Sequence, residues 1–281
     1  MKITISDIQK FKNNNNRFSA ITVYDYPTAL IVDEINIPIV LVGDSASMVV
    51  YGYNNTLPIT MEELLLVTKA VARGINKALI IGDMPFMSYQ PSAEEAIKNA
   101  GQLIKLGGAD AVKLEGGSEY AGTIKKIVES GIPVMGHIGL KPQSILTDSG
   151  YKVHGKNTID AIKIYKDALS LEEAGVFAIV LEGVPVDLAQ IITEKINIPT
   201  IGIGAGRNCN GQIQVFHDVV GLFNSKIPKH AKKYIDSYQI IKDALKNYCD
   251  EVDDKKFPEQ RNATSMDSEE LIKLQKSIED I

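Results

Sequence analysis

The sequence predicts an α/β fold, a single (β/α)8 (TIM) barrel with an N-terminal helix and a C-terminal helical extension. Three observations predict it. Short apolar runs rich in β-branched residues recur along the chain, each followed by a turn and a helical pattern, as parallel strands joined by crossover helices require. At 281 residues and 44% hydrophobic content, the chain can bury one core of the size that a barrel of about 250 residues needs. Five of the runs end in an ionisable residue, at the edge where a barrel carries its chemistry.

Taken in order, Ser6 with Gln9 fits a capping box and opens a helix ahead of the first strand, placed to plug the bottom of the barrel. Asn13 to Asn16 follow as a polar loop. Strands are expected at 19–25, 38–44, 78–83, 109–115, 133–137, 176–182, 199–204 and 212–216. Thr60 with Glu63 and Ser92 with Glu95 are helix-start signals between them. From 204 to 212 there is too little chain for a crossover helix, so either the seventh unit is abbreviated or the eighth strand lies elsewhere. Beyond the barrel, Ile235, Tyr238, Ile241, Leu245 and Tyr248 share one helical face, and Leu271, Leu274, Ile278 and Ile281 share another, with a polar stretch at 250–266 between them. The expected division is a catalytic barrel at 1–258 and a helical tail at 259–281, docked on its own barrel or on a neighbouring subunit.

Several function classes lose their support. The formal net charge is −5 and Lys and Arg are scattered, so no basic stripe exists to neutralise a nucleic acid backbone. No apolar run approaches the roughly 20 residues that span a bilayer, and the first ten residues lack the apolar core of a secretory signal. A cytoplasmic protein with no nucleic acid or membrane partner is expected. Cys209 and Cys249 stand without a second Cys or His at ligand spacing, which suggests neither a disulfide nor a zinc site. His-Glu-x-x-His, Cys-x-x-Cys and Gly-x-Ser-x-Gly are all absent.

The informative residues are Asp44, Asp83, Glu115, His137 and Glu182, each closing an apolar run. Strand side chains alternate, so Lys113 and Glu115 share one face while Val112 and Leu114 take the other. The same parity groups Val42 with Asp44, Ile81 with Asp83 and Val180 with Glu182. Any one of these acids could cap a strand or pair with a loop cation; five at one barrel face point to a shared site. Carboxylates gathered in a low-dielectric mouth repel one another unless something positive sits among them. Lys113 supplies one charge, and a hard divalent cation such as Mg²⁺ would supply two. Gly202, Gly204 and Gly206 lie where barrels bind phosphate, although a tight turn explains them equally well. His154, His217 and His230 read as surface or capping residues; Tyr24 and Tyr26, at the first strand's end, could line the pocket, although aromatic residues there more often serve packing.

In this order, the segments Val-Gly-Asp-Ser (42–45), Thr-Leu-Pro-Ile-Thr (56–60), Gly-Asp-Met-Pro-Phe (82–86) and Ala-Asp-Ala-Val-Lys-Leu-Glu-Gly-Gly (109–117) resemble the ketopantoate hydroxymethyltransferase family. Pro-Val-Met-Gly-His-Ile-Gly-Leu (133–140), Leu-Glu-Gly-Val-Pro (181–185) and Ile-Pro-Thr-Ile-Gly-Ile-Gly-Ala-Gly (198–206) extend the match. The resemblance implies one Mg²⁺ per subunit held by Asp44, Asp83 and Glu115. It implies that Ser45 and Lys113 hold a 2-oxo acid together with Asp44 and Asp83, that His137 helps polarise it, and that Glu182 is the proton acceptor. It further implies 5,10-methylenetetrahydrofolate as cosubstrate, with its one-carbon unit passed to 3-methyl-2-oxobutanoate through a Mg²⁺-stabilised enolate. The product would be 2-dehydropantoate, in the first step of pantothenate synthesis, and the assembly a homo-oligomer, a decamer in the family. Ala46, Ser47, Tyr53 and Asn210 depart from the family pattern, and are expected in loops over the mouth. The alternatives are another Mg²⁺-enolate barrel of the isocitrate lyase and phosphoenolpyruvate mutase type, and a catalytically silent barrel.

Overall fold

The computed structural model describes residues 1–148, 150–224 and 227–279. Eight parallel strands close in sequence order into a barrel: β1 (Phe18–Thr22), β2 (Ile39–Val42), β3 (Leu79–Asp83), β4 (Ala111–Glu115), β5 (Val134–Gly139), β6 (Ala178–Glu182), β7 (Thr200–Ile203) and β8 (Gly211–Gln214). Ahead of the barrel runs α1 (Ile5–Asn13). Between strands lie α2 (Tyr26–Glu34), α3 (Ala46–Val49), α4 (Met61–Gly74), α5 (Ala93–Lys105), α6 (Ala121–Glu129), α7 (Thr158–Glu173) and α8 (Val186–Lys195). After β8 come α9 (Phe216–Val220), α10 (Ser237–Asp253) and α11 (Ser268–Glu279).

All eight expected strands are present, with ends shifted by up to three residues. Asp25 is not in β1: its carboxylate caps α2 by accepting from the Thr28 amide at 2.8 Å. Phe216 begins α9 rather than ending β8. The short seventh link is resolved as an abbreviated unit, because β8 pairs with both β7 and β1 and residues 204–210 carry no helix.

The alternation of strand side chains divides the core in two. Val40, Val42, Ile80, Val112, Leu114, Ile179 and Leu181 pack outward among the helices, while Ile39, Leu41, Leu79, Ile81, Ala111, Met135, Ala178, Val180, Ile201 and Ile213 fill the barrel interior. Val42 therefore does not share the inward face with Asp44. Gly43 intervenes after the strand has ended, so Asp44 reaches the mouth through a turn and not by parity. Lys113 and Glu115 do follow Ala111 inward, as expected.

Helix α1 closes the bottom, with Ile8 fully buried in the interior cluster. Its start differs from the expected one. Thr4, not Ser6, is the N-cap, and Thr4 and Asp7 form the reciprocal capping box, because a box two residues earlier fits the extended backbone at Thr4 (φ −114°, ψ 167°). Thr60 and Glu63 form the expected box, whereas Ser92 caps the Glu95 amide without a reciprocal bond.

Contacts divide the chain into two compact units, Met1–Val219 with Ser225–Lys233, and Val220–Asn224 with Tyr234–Ile281. In the second unit α10 and α11 carry the expected apolar faces except at Ile235, which precedes α10, with Tyr238, Ile241, Leu245, Tyr248, Leu271, Leu274 and Ile278 exposed; Ile281 lies outside the described residues. Among the described residues no helix is long and apolar enough to cross a membrane.

Candidate active site

The strand register assembles the site. Asp83 and Lys113 are direct partners on β3 and β4, Glu115 and His137 on β4 and β5, and Glu182 lies two residues beyond Val180, the partner of His137, on β6. All face the barrel axis at the C-terminal ends of their strands. Asp44, Asp83, Lys113, Glu115 and His137 are each less than 5% exposed, and Glu182 is half-buried. The residues singled out by their strand-end positions are therefore brought together, along the arc from β2 to β6.

A network of contacts joins them. The Asp44 amide donates to Asp83 Oδ2 at 3.2 Å, and Lys113 Nζ donates to both Asp83 oxygens at 2.7 and 2.8 Å. His137 stands between two acids, with Nδ1 3.6 Å from Glu115 Oε1 and Nε2 3.4 Å from Glu182 Oε2. Ser45 Oγ lies 2.8 Å from the hydroxyl of Tyr24, so Tyr24 belongs to the site while Tyr26 is exposed.

Three buried carboxylates face one ammonium, and the electrostatics follow. Burial pushes Asp83 up to about 7; the neighbouring Lys113 opposes that rise and the Asp44 charge adds to it. Burial also raises Glu115 well above the usual carboxylate range. For Lys113 burial works downward, but Asp83, Asp44 and Glu115 outweigh it and hold the amine protonated. His137 is lowered by burial, against the pull of Glu182, so its imidazole is neutral near pH 7.

Two residues that sequence periodicity overlooks hold the mouth. Gln143, in a short 3-10 turn at Pro142–Ser144 after β5, donates from Nε2 to Asp44 Oδ2 at 2.9 Å and to the Met84 carbonyl at 3.0 Å. Its backbone amide donates to Glu115 Oε2 at 3.0 Å. Tyr89, buried in the β3–α5 connection, donates to Gln143 Oε1 at 2.8 Å. The one sequence signal was Lys-Pro-Gln-Ser at 141–144, a turn directly following a strand end.

Other expectations are redirected. Gly204 and Gly206 have positive φ (64° and 78°), and a Cβ on Gly206 would press on Val186 at 2.8 Å, so a turn and a close approach account for them. They line a cavity of about 720 Å³ with Arg17, Arg207, Gln212, Gln214 and His230, none of which belongs to the acidic cluster. Asn210 does not lie over the mouth. It sits just before β8 and accepts from the Thr200 amide at 3.0 Å, pinning the start of β7 at the opposite end of the barrel. His154 lies 3.4 Å from Asp148 in the loop before α7, outside the cluster.

A family model described as ketopantoate hydroxymethyltransferase matches residues 2–260. The chain belongs to the ketopantoate hydroxymethyltransferase family. A 3-methyl-2-oxobutanoate hydroxymethyltransferase of Dehalococcoides mccartyi is 52% identical over 278 residues, covering 99% of this chain and 100% of the relative. Those of Clostridium novyi (51%, 98% and 100% covered) and Nitrosopumilus maritimus (50%, 99% and 99% covered) are similarly near. As a member of the ketopantoate hydroxymethyltransferase family the chain is an enzyme of the transferase class.

Solved structures share the fold at low identity. A phosphonopyruvate hydrolase in complex with oxalate and Mg²⁺ superposes with a TM-score of 0.60 at 12% identity, covering 99% of this chain and 96% of that one. A 2,3-dimethylmalate lyase of the PEP mutase/isocitrate lyase superfamily gives 0.58 at 14%, with 99% and 98% covered.

The ketopantoate hydroxymethyltransferase site fits a divalent cation by the chemistry of its donors. Glu115 Oε1 is buried with no hydrogen-bond partner. Asp83 and Glu115 are raised chiefly by burial, and with Asp44 they make three buried carboxylates around the one ammonium of Lys113. Among the described residues no three His, Cys, Asp or Glu side chains are arranged to hold an ion by themselves, and both Asp83 oxygens accept from Lys113. A cation here would complete its shell from waters and substrate oxygens, as Mg²⁺ ordinarily does.

Proposed function

We propose that this chain transfers the one-carbon unit of 5,10-methylenetetrahydrofolate to 3-methyl-2-oxobutanoate, giving 2-dehydropantoate, with Mg²⁺ held by Asp44, Asp83 and Glu115. The observation that carries the reading is the pairing of a buried acid cluster (Asp44, Asp83, Glu115) with a more open acid, Glu182, one imidazole away. The first can take a cation and a chelating keto acid; the second is placed to act on the carbon beside the keto group.

When bound, Mg²⁺ supplies Lewis-acid stabilisation, worth several kcal/mol, of the charge that develops on the keto oxygen. Lys113 spends two of its three N–H bonds on Asp83, leaving the third for a substrate oxygen. Ser45, anchored by Tyr24, offers a further polar contact at the β2 end. Glu182 accepts the C3 proton on a carboxylate oxygen, and His137, neutral beside it, carries one N–H that fixes the direction of that carboxylate or of the keto group. The C3 electron pair forms the new C–C bond to the methylene carbon, that carbon's two bonds to the folate nitrogens break, and the nitrogens take up two protons, the one collected by Glu182 and one from water. One water provides the hydroxyl, and tetrahydrofolate leaves. The alternative, a mutase or lyase of the phosphoenolpyruvate mutase type, has only the likeness of fold at 12–14% identity behind it.

The test is proton exchange. Incubated with 3-methyl-2-oxobutanoate and Mg²⁺ in D₂O, the protein is expected to wash out the C3 proton, seen by NMR, without folate. Absence of exchange with Mg²⁺, Mn²⁺ or Co²⁺, with or without tetrahydrofolate, would sink the reading.

A further inference from the structure

We propose that Gln143 is the positioning residue of the metal site: it occupies one oxygen of Asp44 and one of Glu115, so that the other oxygen of each is left for the cation. The inference deepens the proposed function and rests on its reading of Asp44 and Glu115 as cation ligands.

The orientation of the Gln143 amide is dictated by its neighbours. Asp44 Oδ2 at 2.9 Å and the Met84 carbonyl at 3.0 Å can only accept, so the group facing them is the NH₂, and both of its hydrogens are used. Gln143 Oε1 receives the Tyr89 hydroxyl at 2.8 Å, and the backbone amide of Gln143 reaches Glu115 Oε2 at 3.0 Å. Gln143 is 5% exposed, and its side chain is satisfied at every polar atom. Glu115 Oε1, in contrast, is buried with no hydrogen-bond partner. A carboxylate with one oxygen fixed by a neutral donor keeps its charge and loses its rotational freedom, which is how a hydrogen-bonding partner orients a metal ligand. One residue from the loop after β5 thereby sets ligands from β2 and β4 at once, Asp44 through its side chain and Glu115 through its backbone amide.

Gly139 makes that reach possible. It ends β5 at φ 94°, and a Cβ there would collide with the Glu182 carbonyl and with Val184. The chain turns sharply at this point and brings the Pro142–Ser144 turn back over the mouth.

The experiment measures Mn²⁺ affinity by electron paramagnetic resonance on the full chain, together with thermal unfolding and near-UV circular dichroism. Gln143→Met keeps the length and bulk of the side chain, removes its donors to Asp44 and Met84, and leaves the backbone bond to Glu115 in place. With Asp44 freed, it is expected to raise the Mn²⁺ Kd about 10- to 100-fold, the range for loss of an outer hydrogen bond to a ligand. A well-folded Gln143→Met with a Kd within twofold of the unsubstituted protein, even with a lowered Tm, overturns the proposal, since a merely structural glutamine would move Tm alone. Should Gln143→Met lose its near-UV signal, Tyr89→Phe takes its place. It deletes one hydroxyl, which holds Gln143 Oε1 at 2.8 Å and lies 3.0 Å from the Glu115 carbonyl, and a Kd within twofold again overturns the proposal. Failure of the unsubstituted chain to bind Mn²⁺ at all overturns the metal reading itself, and the role of Gln143 with it.

Discussion

Cation affinity should depend steeply on pH between 6 and 8, where ordinary carboxylates are fully ionised and no dependence is expected. The cause is Asp83, pushed up to about 7 chiefly by burial, with Asp44 beside it. A cation binds the ionised form, so affinity is present above that value and lost as pH falls through it. With a value of about 7, the ionised fraction is about 0.9 at pH 8 and about 0.09 at pH 6, a tenfold ratio equivalent to about 1.4 kcal/mol. Glu115, raised in the same direction by burial, steepens the curve further. Titration calorimetry with Mg²⁺ at pH 6, 7 and 8, in two buffers of different ionisation enthalpy, reads both the Kd and the protons released. The expected result is a Kd at least tenfold weaker at pH 6 than at pH 8, with about half a proton or more released at pH 7. A Kd constant within twofold across that range, with no proton release, would refute the argument that the acids are under-compensated until a cation arrives.

Three further outcomes are expected. Glu182→Gln should slow exchange of the C3 proton of 3-methyl-2-oxobutanoate in D₂O by about 10²- to 10⁴-fold while leaving the Mn²⁺ Kd within threefold; exchange at the original rate would assign the base elsewhere. Lys113→Met strips the ammonium from a buried pair and should destabilise the fold by about 3–5 kcal/mol at pH 7 to 8. Urea unfolding at pH 5.5 should show part of that loss recovered, because buried acids with raised values favour folding while protonated and disfavour it as pH rises through them. Ile8→Ala, at a fully buried position on α1 beneath the barrel, should cost about 2–5 kcal/mol with no change in Mn²⁺ affinity; a loss under 1 kcal/mol would mean that α1 is not a plug.

The sequence by itself determined the barrel and most of the arc of chemistry. Parallel strands buried on both faces must be short and apolar, so their number and order can be read directly, and a charged residue at the end of such a run has nowhere to go but the rim. Asp83, Lys113, Glu115, His137 and Glu182 were legible for that reason: strand alternation is a local rule, and register between neighbouring strands turns it into proximity. Tertiary structure alone decided what local periods do not reach. Asp44 arrives through Gly43 after its strand has ended, and Asn210 pins the far end of β7 instead of the mouth. Gln143 clasps two acids 99 and 28 residues away from a turn with no periodic pattern. Hydrogen bonds made by loop side chains depend on where the chain returns in space, and that is fixed only when the barrel closes.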